Sequence, residues 1–447
     1  MKTSYERTNE LIKKIQPKSF CAAKWYNVSV WLGNGRTASC HHPLAHPVPK
    51  AELAADPSAL HNTKFKKEQR KKMLEGERPK ECGYCWKVED ETQGTEINSD
   101  RVYQTARYTE EEIEALKDIP WDKNVDPKTL EICFDNLCNL ACSYCNSEFS
   151  STWARDIVVN GEYKNMETDG GKTYRQDGSI AMPFGNKNEG NIYVKRFFDW
   201  YPGIKGGLDE LRVSGGEPSR SPSFWKLIDM SEQEPFNLAV NSNLIMDDTR
   251  LARLLDAGKK FKKFDIYTSA ECIGKNQEFV RDGFIWDLWE KNVKEAVASP
   301  NINGVYIMMT VSLLGIWTVD KFVQQIVDWK KEQNDKHAFF MSVNILRFPS
   351  FQSVAMLPQD IKETLATRIS DVMDNNKEWI NDLERNQLKR LIYLRKVDKS
   401  YEDVDSTAKK RNDLINFVDQ YAVRRNKPIE DYMPEEFNNW YNSLKNG

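Results

Sequence analysis

Between residues 128 and 346, short runs of alternating apolar and polar positions are separated by stretches with helical periodicity. Leu130, Ile132 and Phe134 alternate with polar neighbours, the two-residue period of a half-buried strand. Comparable strand signatures return at 210–214, 236–240, 264–269, 305–311 and 339–346, and amphipathic stretches at 193–200, 222–230, 248–255, 284–298 and 319–330 predict helices between them. Alternation of this regularity, six strand–helix units in a row, predicts an α/β fold with a parallel sheet and helices outside it.

Upstream, 24–32 and 36–40 carry β-branched and aromatic residues on both sides of Gly33-Asn34-Gly35, a hairpin signal. After a loop containing Pro and His, 64–75 predicts a mostly polar helix whose sparse apolar set is Phe65, Met73 and Leu74, ended by Gly76 and Pro79. From 90 to 126 the sequence is polar, with a helical patch at 110–117, and reads as a bridge. A helix is expected at 150–159. The stretch 160–191, rich in Gly, Asn, Asp and Lys without sustained periodicity, reads as a lid or substrate loop. From 351 onward the chain is helical and charged, clearest at 361–376 and 383–395, with Tyr421, Tyr432, Trp440 and Tyr441 as packing residues. The expected division is an N-terminal module at 1–110, a linker at 111–126, the strand–helix core at 127–350 and a helical region at 351–447.

At 447 residues the chain has room for a large core. With 40% hydrophobic and 29% charged residues and a net charge of −3, composition predicts a globular protein and offers no case for nucleic acid or an anionic membrane as partner. The first seven residues are polar, and the most apolar stretch, 305–317, is interrupted by Thr310, Ser312 and Gly315, too short to span a bilayer. A cytoplasmic, reducing location is the expectation, and nine cysteines there read as metal ligands rather than disulfides.

Three of them stand in Cys138-Asn139-Leu140-Ala141-Cys142-Ser143-Tyr144-Cys145, directly after the first core strand. Three thiolates at this spacing can grip three corners of a cubane iron–sulfur cluster and leave the fourth iron open, whereas a closed zinc site takes four protein ligands. Four more surround the predicted hairpin and helix: Cys21 before the first strand, Cys40 at the end of the second, and Cys82 and Cys85 after the helix. Four thiolates suffice for tetrahedral zinc or for a complete [4Fe–4S] cluster, and His41, His42 and His46 lie near enough in sequence to substitute. Gly215-Gly216-Glu217-Pro218 ends the strand 210–214, where two glycines permit close backbone approach and Glu217 adds an acceptor. Asn241 and Asn243 end the next strand with side chains suited to ribose hydroxyls. Cys133 and Cys272 read as buried thiols outside any ligand set.

Together these motifs resemble the radical S-adenosylmethionine (SAM) enzymes. The resemblance spans about residues 20–349 and rests on the cysteine triad with Tyr144 before its last member, on the Gly-Gly-Glu-Pro turn, and on Ser269-Ala270-Glu271-Cys272, similar to the family's Ser-x-Asp-Gly element. It implies a partial (β/α)6 TIM-like barrel, a [4Fe–4S] cluster on Cys138, Cys142 and Cys145, and SAM bound near Tyr144, Gly215, Gly216, Glu217, Pro218, Asn241, Asn243, Ser269 and Glu271. Arg281 falls where such enzymes pair an arginine with the SAM carboxylate. The N-terminal cysteines resemble a twitch auxiliary-cluster module, here preceding the core rather than following it, which implies a second [4Fe–4S] cluster on Cys21, Cys40, Cys82 and Cys85. The implied activity is reductive cleavage of SAM to a 5′-deoxyadenosyl radical that abstracts hydrogen from substrate, with a flavodoxin- or ferredoxin-type protein as electron donor. A ribosomally made peptide is the leading substrate, a sugar, nucleotide or other small metabolite the alternative. A non-catalytic iron–sulfur or zinc scaffold is the reading from another class.

Overall fold

The computed structural model describes residues 4–91, 98–174, 190–393 and 404–446. Its main sheet is built from β1 (Asn27–Trp31), β2 (Arg36–Ala38), β3 (His46–Pro47), β4 (Thr129–Cys133), β6 (Glu210–Ser214), β7 (Glu234–Ser242), β8 (Phe261–Ser269), β10 (Gly304–Val311) and β11 (Phe340–Ile345), while β5 (Ala141–Cys142) and β9 (Arg281–Asp282) form a separate antiparallel pair. The order across the main sheet is β11-β10-β8-β7-β6-β4-β1-β2-β3. The six expected core strands therefore lie side by side in chain order, all parallel.

One row of each strand is buried: Leu130 and Ile132, Leu211 and Val213, Phe264 and Ile266, Val305 and Ile307. These are the apolar positions of the two-residue period, and helices such as Ile192–Ile204, Pro222–Met230, Asp248–Ala257 and Val319–Glu332 bury their own apolar stripes within the same core. The alternate row is more polar and aromatic and mostly only partly buried, although Cys133 and Ala239 in it are buried. There the Arg212 guanidinium reaches past the small Ala239 of β7 to lie 4.3 Å from the Tyr267 ring centroid, and Tyr267, Tyr306 and Phe340 stack in sequence at 4.6 and 5.1 Å.

The N-terminal stretch is joined to this sheet by backbone. β1 pairs in parallel with β4, Asn27 opposite Thr129 and Trp31 opposite Cys133, and β2 and β3 extend the edge antiparallel. A second apolar core gathers Ile15, Phe20, Trp25, Met73 and Trp86 with Ile113 and Leu116 from the segment read as a linker. There Thr109 and Glu112 form a capping box on helix Glu110–Asp118.

The predicted first strand begins too early. Lys24, Trp25 and Tyr26 belong to a helical turn, Ala23–Tyr26, because Trp25 turns inward to stack on Phe20 at 4.8 Å and the amides of Lys24 and Trp25 bond back to Cys21 and Ala22. The loop containing Pro and His also holds helix Lys50–Ala55. Of the 160–191 insertion, 175–189 lies outside the described residues. The part that precedes it is packed: Tyr163 and Tyr174 are buried against Trp153 and Phe417. No helix among the described residues is long and apolar enough to cross a membrane.

Candidate functional site

β4 delivers the chain into the cysteine loop at its C-terminal end, where α/β folds place their chemistry. The loop is held through its own carbonyls. Cys138 O accepts from Thr152 Oγ1 at 2.6 Å, Leu140 O from Ser150 Oγ at 2.6 Å, Ala141 O from Tyr421 Oη at 2.7 Å and Cys142 O from Trp153 Nε1 at 2.8 Å. Ser143 O accepts from Tyr174 Oη at 2.5 Å and Gln352 Nε2 at 2.9 Å. Donors from helix Ser151–Asn160 and its N-cap, from the insertion, from the turn after β11 and from helix Val404–Arg425 thus converge on a loop that carries three thiols. Tyr174, Gln352 and Tyr421 carry no motif signal, because their partners lie 31 to 280 residues away.

Cys142 is buried and Cys138 and Cys145 partly so. Burial, reinforced by the neighbouring sulfurs, pushes the Cys138 thiol up to about 12 and raises Cys145. Cys142 is raised mainly by burial, with Arg281 opposing.

The Gly-Gly-Glu-Pro turn packs directly on this loop. Gly215 has φ +121°, and a Cβ there would come 2.5 Å from Cys133 Sγ; at Gly216 it would come 2.4 Å from the Leu137 carbonyl oxygen. The close approach these glycines permit is therefore to the cysteine loop's own strand and backbone. Gly216→Ala is expected to push the loop outward, costing about 1–3 kcal/mol, which urea titration of the purified variant would check.

Glu217 is buried, and its carboxylate accepts from Ser219 N at 3.1 Å, Ser242 Oγ at 2.9 Å and Asn243 N at 2.6 Å. Burial raises its pKa, against those three bonds. It ties the turn after β6, opened by Pro218, to the end of β7, and Asn243 Nδ2 in turn donates to Asn139 Oδ1 at 2.9 Å. Asn241 accepts from Arg212 at 3.5 Å, and Ser269 is the last residue of β8. Glu271 and Arg281 are buried together, and Tyr144 Oη donates to Glu271 Oε1 at 3.0 Å. The other two cysteines are engaged elsewhere: Cys133 Sγ donates to Asp135 O and Cys272 Sγ to Gln277 Oε1.

Cys21, Cys40, Cys82 and Cys85, spread over 65 residues of sequence, line one small pocket together with Lys24, His42, Asp100 and Arg101. Cys82 lies in the turn Lys80–Cys82 and Cys85 in the first turn of helix Gly83–Glu91. Burial pushes Cys21 up to about 12 and Cys82 up to about 11, while Lys24 and Arg101 favour the thiolate at Cys21 and Lys24 does so at Cys82. Lys24 is itself paired with Glu81, and Arg101 with Glu89 at 2.8 Å. Of the three nearby histidines only His42 lines the pocket, its Nε2 against Asp100 and its ring stacked on Tyr84. His46 bonds Thr63, and the exposed His41 lies 3.4 Å from Glu131, which also accepts from Ser29 and Ser214. A chain of polar contacts thus runs from beside Cys40 to the residue before Gly215. Among the described residues no three His, Cys, Asp or Glu side chains close on a single metal-ion position.

No family model matches the chain, and no curated protein matches it. Among solved structures, the crystal structure of Streptococcus suis SuiB bound to S-adenosylmethionine is similar at 14% identity and TM-score 0.36, covering 78% of this chain and 69% of that one. A structure of TYW1 with a lysine–pyruvate adduct bound is similar at 16% identity and TM-score 0.26, covering 54% of this chain and 70% of that one. Likeness at this level assigns no function.

Proposed function

We propose that this chain is a radical SAM enzyme whose catalytic [4Fe–4S] cluster is held by Cys138, Cys142 and Cys145. The observation that carries the reading is the donor set: three thiols, Cys142 buried and Cys138 and Cys145 half-buried, on one braced loop at the C-terminal end of a parallel strand, with the glycine turn packed against it. Three sulfurs leave one iron for the amino and carboxylate groups of SAM. When bound, the cluster and SAM supply a one-electron reduction of the sulfonium that yields a hydrogen-abstracting carbon radical.

The chain's own residues then bind, orient and shield. Gly215 through Pro218 offer SAM mainly backbone groups, since the Glu217 carboxylate already spans the β6 and β7 ends. Asn241, Asn243 and Ser269 lie along the same strand ends for ribose and amino-acid contacts, and the Tyr144 hydroxyl holds Glu271. The half-buried row of the six core strands, read as the interior of a partial (β/α)6 barrel, faces the substrate. The leading substrate is a ribosomally made peptide, with a small metabolite as the second class, and a flavodoxin- or ferredoxin-type protein supplies the electron.

Cys21, Cys40, Cys82 and Cys85 hold a second [4Fe–4S] cluster in this reading. Zinc, with four Zn–S bonds of about 2.3 Å, is the alternative occupant of the same four thiolates. Lys24 and Arg101 in the pocket wall offset the negative charge of a thiolate-bound cluster.

The test is anaerobic reconstitution of the full chain followed by iron, sulfide and zinc analysis and a SAM-cleavage assay with a chemical reductant. About eight irons per chain and formation of 5′-deoxyadenosine are expected. A cluster-loaded protein that leaves SAM intact, with and without candidate peptides, would return the chain to the scaffold or electron-carrier reading.

A further inference from the structure

Arg281 lies opposite Cys142 in the short antiparallel pair formed by β5 and β9. Its side chain is 8% exposed and that of Glu271 is wholly buried. Nε and Nη2 both sit 3.0 Å from Glu271 Oε2, while Nη1 points the other way and donates to Cys142 Sγ at 3.5 Å. Tyr144 holds the second Glu271 oxygen at 3.0 Å, and the guanidinium lies 5.4 Å from the Tyr144 ring centroid. Gln277 Oε1 accepts the Glu271 amide at 3.2 Å, fixing the backbone that presents the carboxylate. One edge of the guanidinium is thus occupied by an anion held on all sides, and the other faces a sulfur of the cysteine loop.

Resting on the radical SAM reading, we propose that Arg281 is a positioning residue for the cluster itself: it donates an N–H···S bond to the Cys142 ligand and makes the cluster easier to reduce, rather than serving as the clamp on the SAM carboxylate. Hydrogen bonds to ligand sulfurs and nearby positive charge stabilise the reduced, more negative cluster. Glu271 moderates the effect, leaving a dipole whose positive end faces Cys142. The side-on edge, Nε with Nη2, which would grip a carboxylate bidentately, is the edge Glu271 holds, and Nη1 of the end-on edge is turned to Cys142. The two side chains therefore act on the potential with opposite sign.

The experiment is a redox titration of reconstituted wild type, Arg281→Gln and Glu271→Gln, following the EPR signal that responds to SAM, with SAM affinity measured by equilibrium dialysis on the same samples. In Arg281→Gln the ratio of reduced to oxidised cluster at a fixed poise is expected to fall about tenfold, one decade of a one-electron couple, with SAM affinity changed less than about threefold. In Glu271→Gln, which frees the guanidinium charge, the ratio is expected to rise. A large loss of SAM affinity in Arg281→Gln at unchanged potential overturns the proposal in favour of the carboxylate clamp. Shifts of the same sign in both variants overturn it in favour of a purely structural pair. Should Arg281→Gln lose its cluster, Glu271→Gln decides alone, and an unchanged or lowered potential there overturns the proposal. Wild type that binds iron but shows no SAM-responsive signal overturns the radical SAM reading, and this proposal with it.

Discussion

Replacing Cys138, Cys142 and Cys145 together with alanine is expected to lower reconstituted iron from about eight to about four per chain and to abolish SAM cleavage, with the fold retained. The fold is expected to persist because the loop is held mainly by its carbonyls, through Ser150, Thr152, Trp153, Tyr174, Gln352 and Tyr421, while its thiols accept only long bonds, from Leu140 N at Cys138 and Arg281 at Cys142. Each Cys→Ala change removes one buried or half-buried sulfur, a cavity term of at most about 1 kcal/mol. Circular dichroism should therefore match wild type while activity falls below detection. The irons that remain belong to Cys21, Cys40, Cys82 and Cys85, and their Ala variants should remove that remainder. Iron at four in wild type, falling to none in the triple variant while zinc persists, would mean a structural zinc in the N-terminal pocket. A triple variant that still cleaves SAM would remove the loop from the chemistry.

The second large effect concerns stability. The Lys330 and Glu384 side chains are 0% and 1% exposed, and Lys330 Nζ lies 2.9 Å from both carboxylate oxygens. Glu384 also accepts the amide of Met341 on β11 at 2.9 Å. Along the same helix, Asp382–Tyr393, Gln387 accepts the Val343 amide and Arg390 donates to the Val343 carbonyl. The helix satisfies the free edge of β11, which would otherwise present unpaired backbone groups. Glu384→Leu leaves a buried ammonium with only the Trp379 carbonyl at 3.1 Å and the Met341 N–H without its acceptor, and is expected to cost about 3–5 kcal/mol and to promote aggregation. The Lys330→Met and Glu384→Leu double variant is expected to recover most of that loss, because an apolar pair of similar volume removes the stranded charge. Urea midpoints for the four proteins measure the coupling. Equal destabilisation by the single and double variants would show that helix docking, rather than the ion pair, holds the edge.

The strand–helix core was legible because its signal is local. The period of Leu130, Ile132 and Phe134 and its repeats predicts six parallel strands, and successive strands joined by helical crossovers usually lie side by side. The cysteine spacings were equally legible, since three sulfurs within eight residues share one loop whatever surrounds them. The early start predicted for β1 failed because the β-like composition of 24–26 was outweighed by burial of Trp25 against Phe20, a contact set by the second core.

The sequence by itself determined the parallel core, the position of the three-thiol loop at the end of its first strand, and the existence of a second group of four cysteines. Only the tertiary structure decided that β1 extends the same sheet, that those four cysteines share a pocket with Lys24 and Arg101, that Glu217 spans two strand ends, and that Arg281 faces Cys142 with Glu271 behind it. The physical reason is range. Periodicity and spacing act between residues a few positions apart, whereas these pairings join groups 10 to 139 residues apart, whose meeting depends on how the whole chain closes its cores.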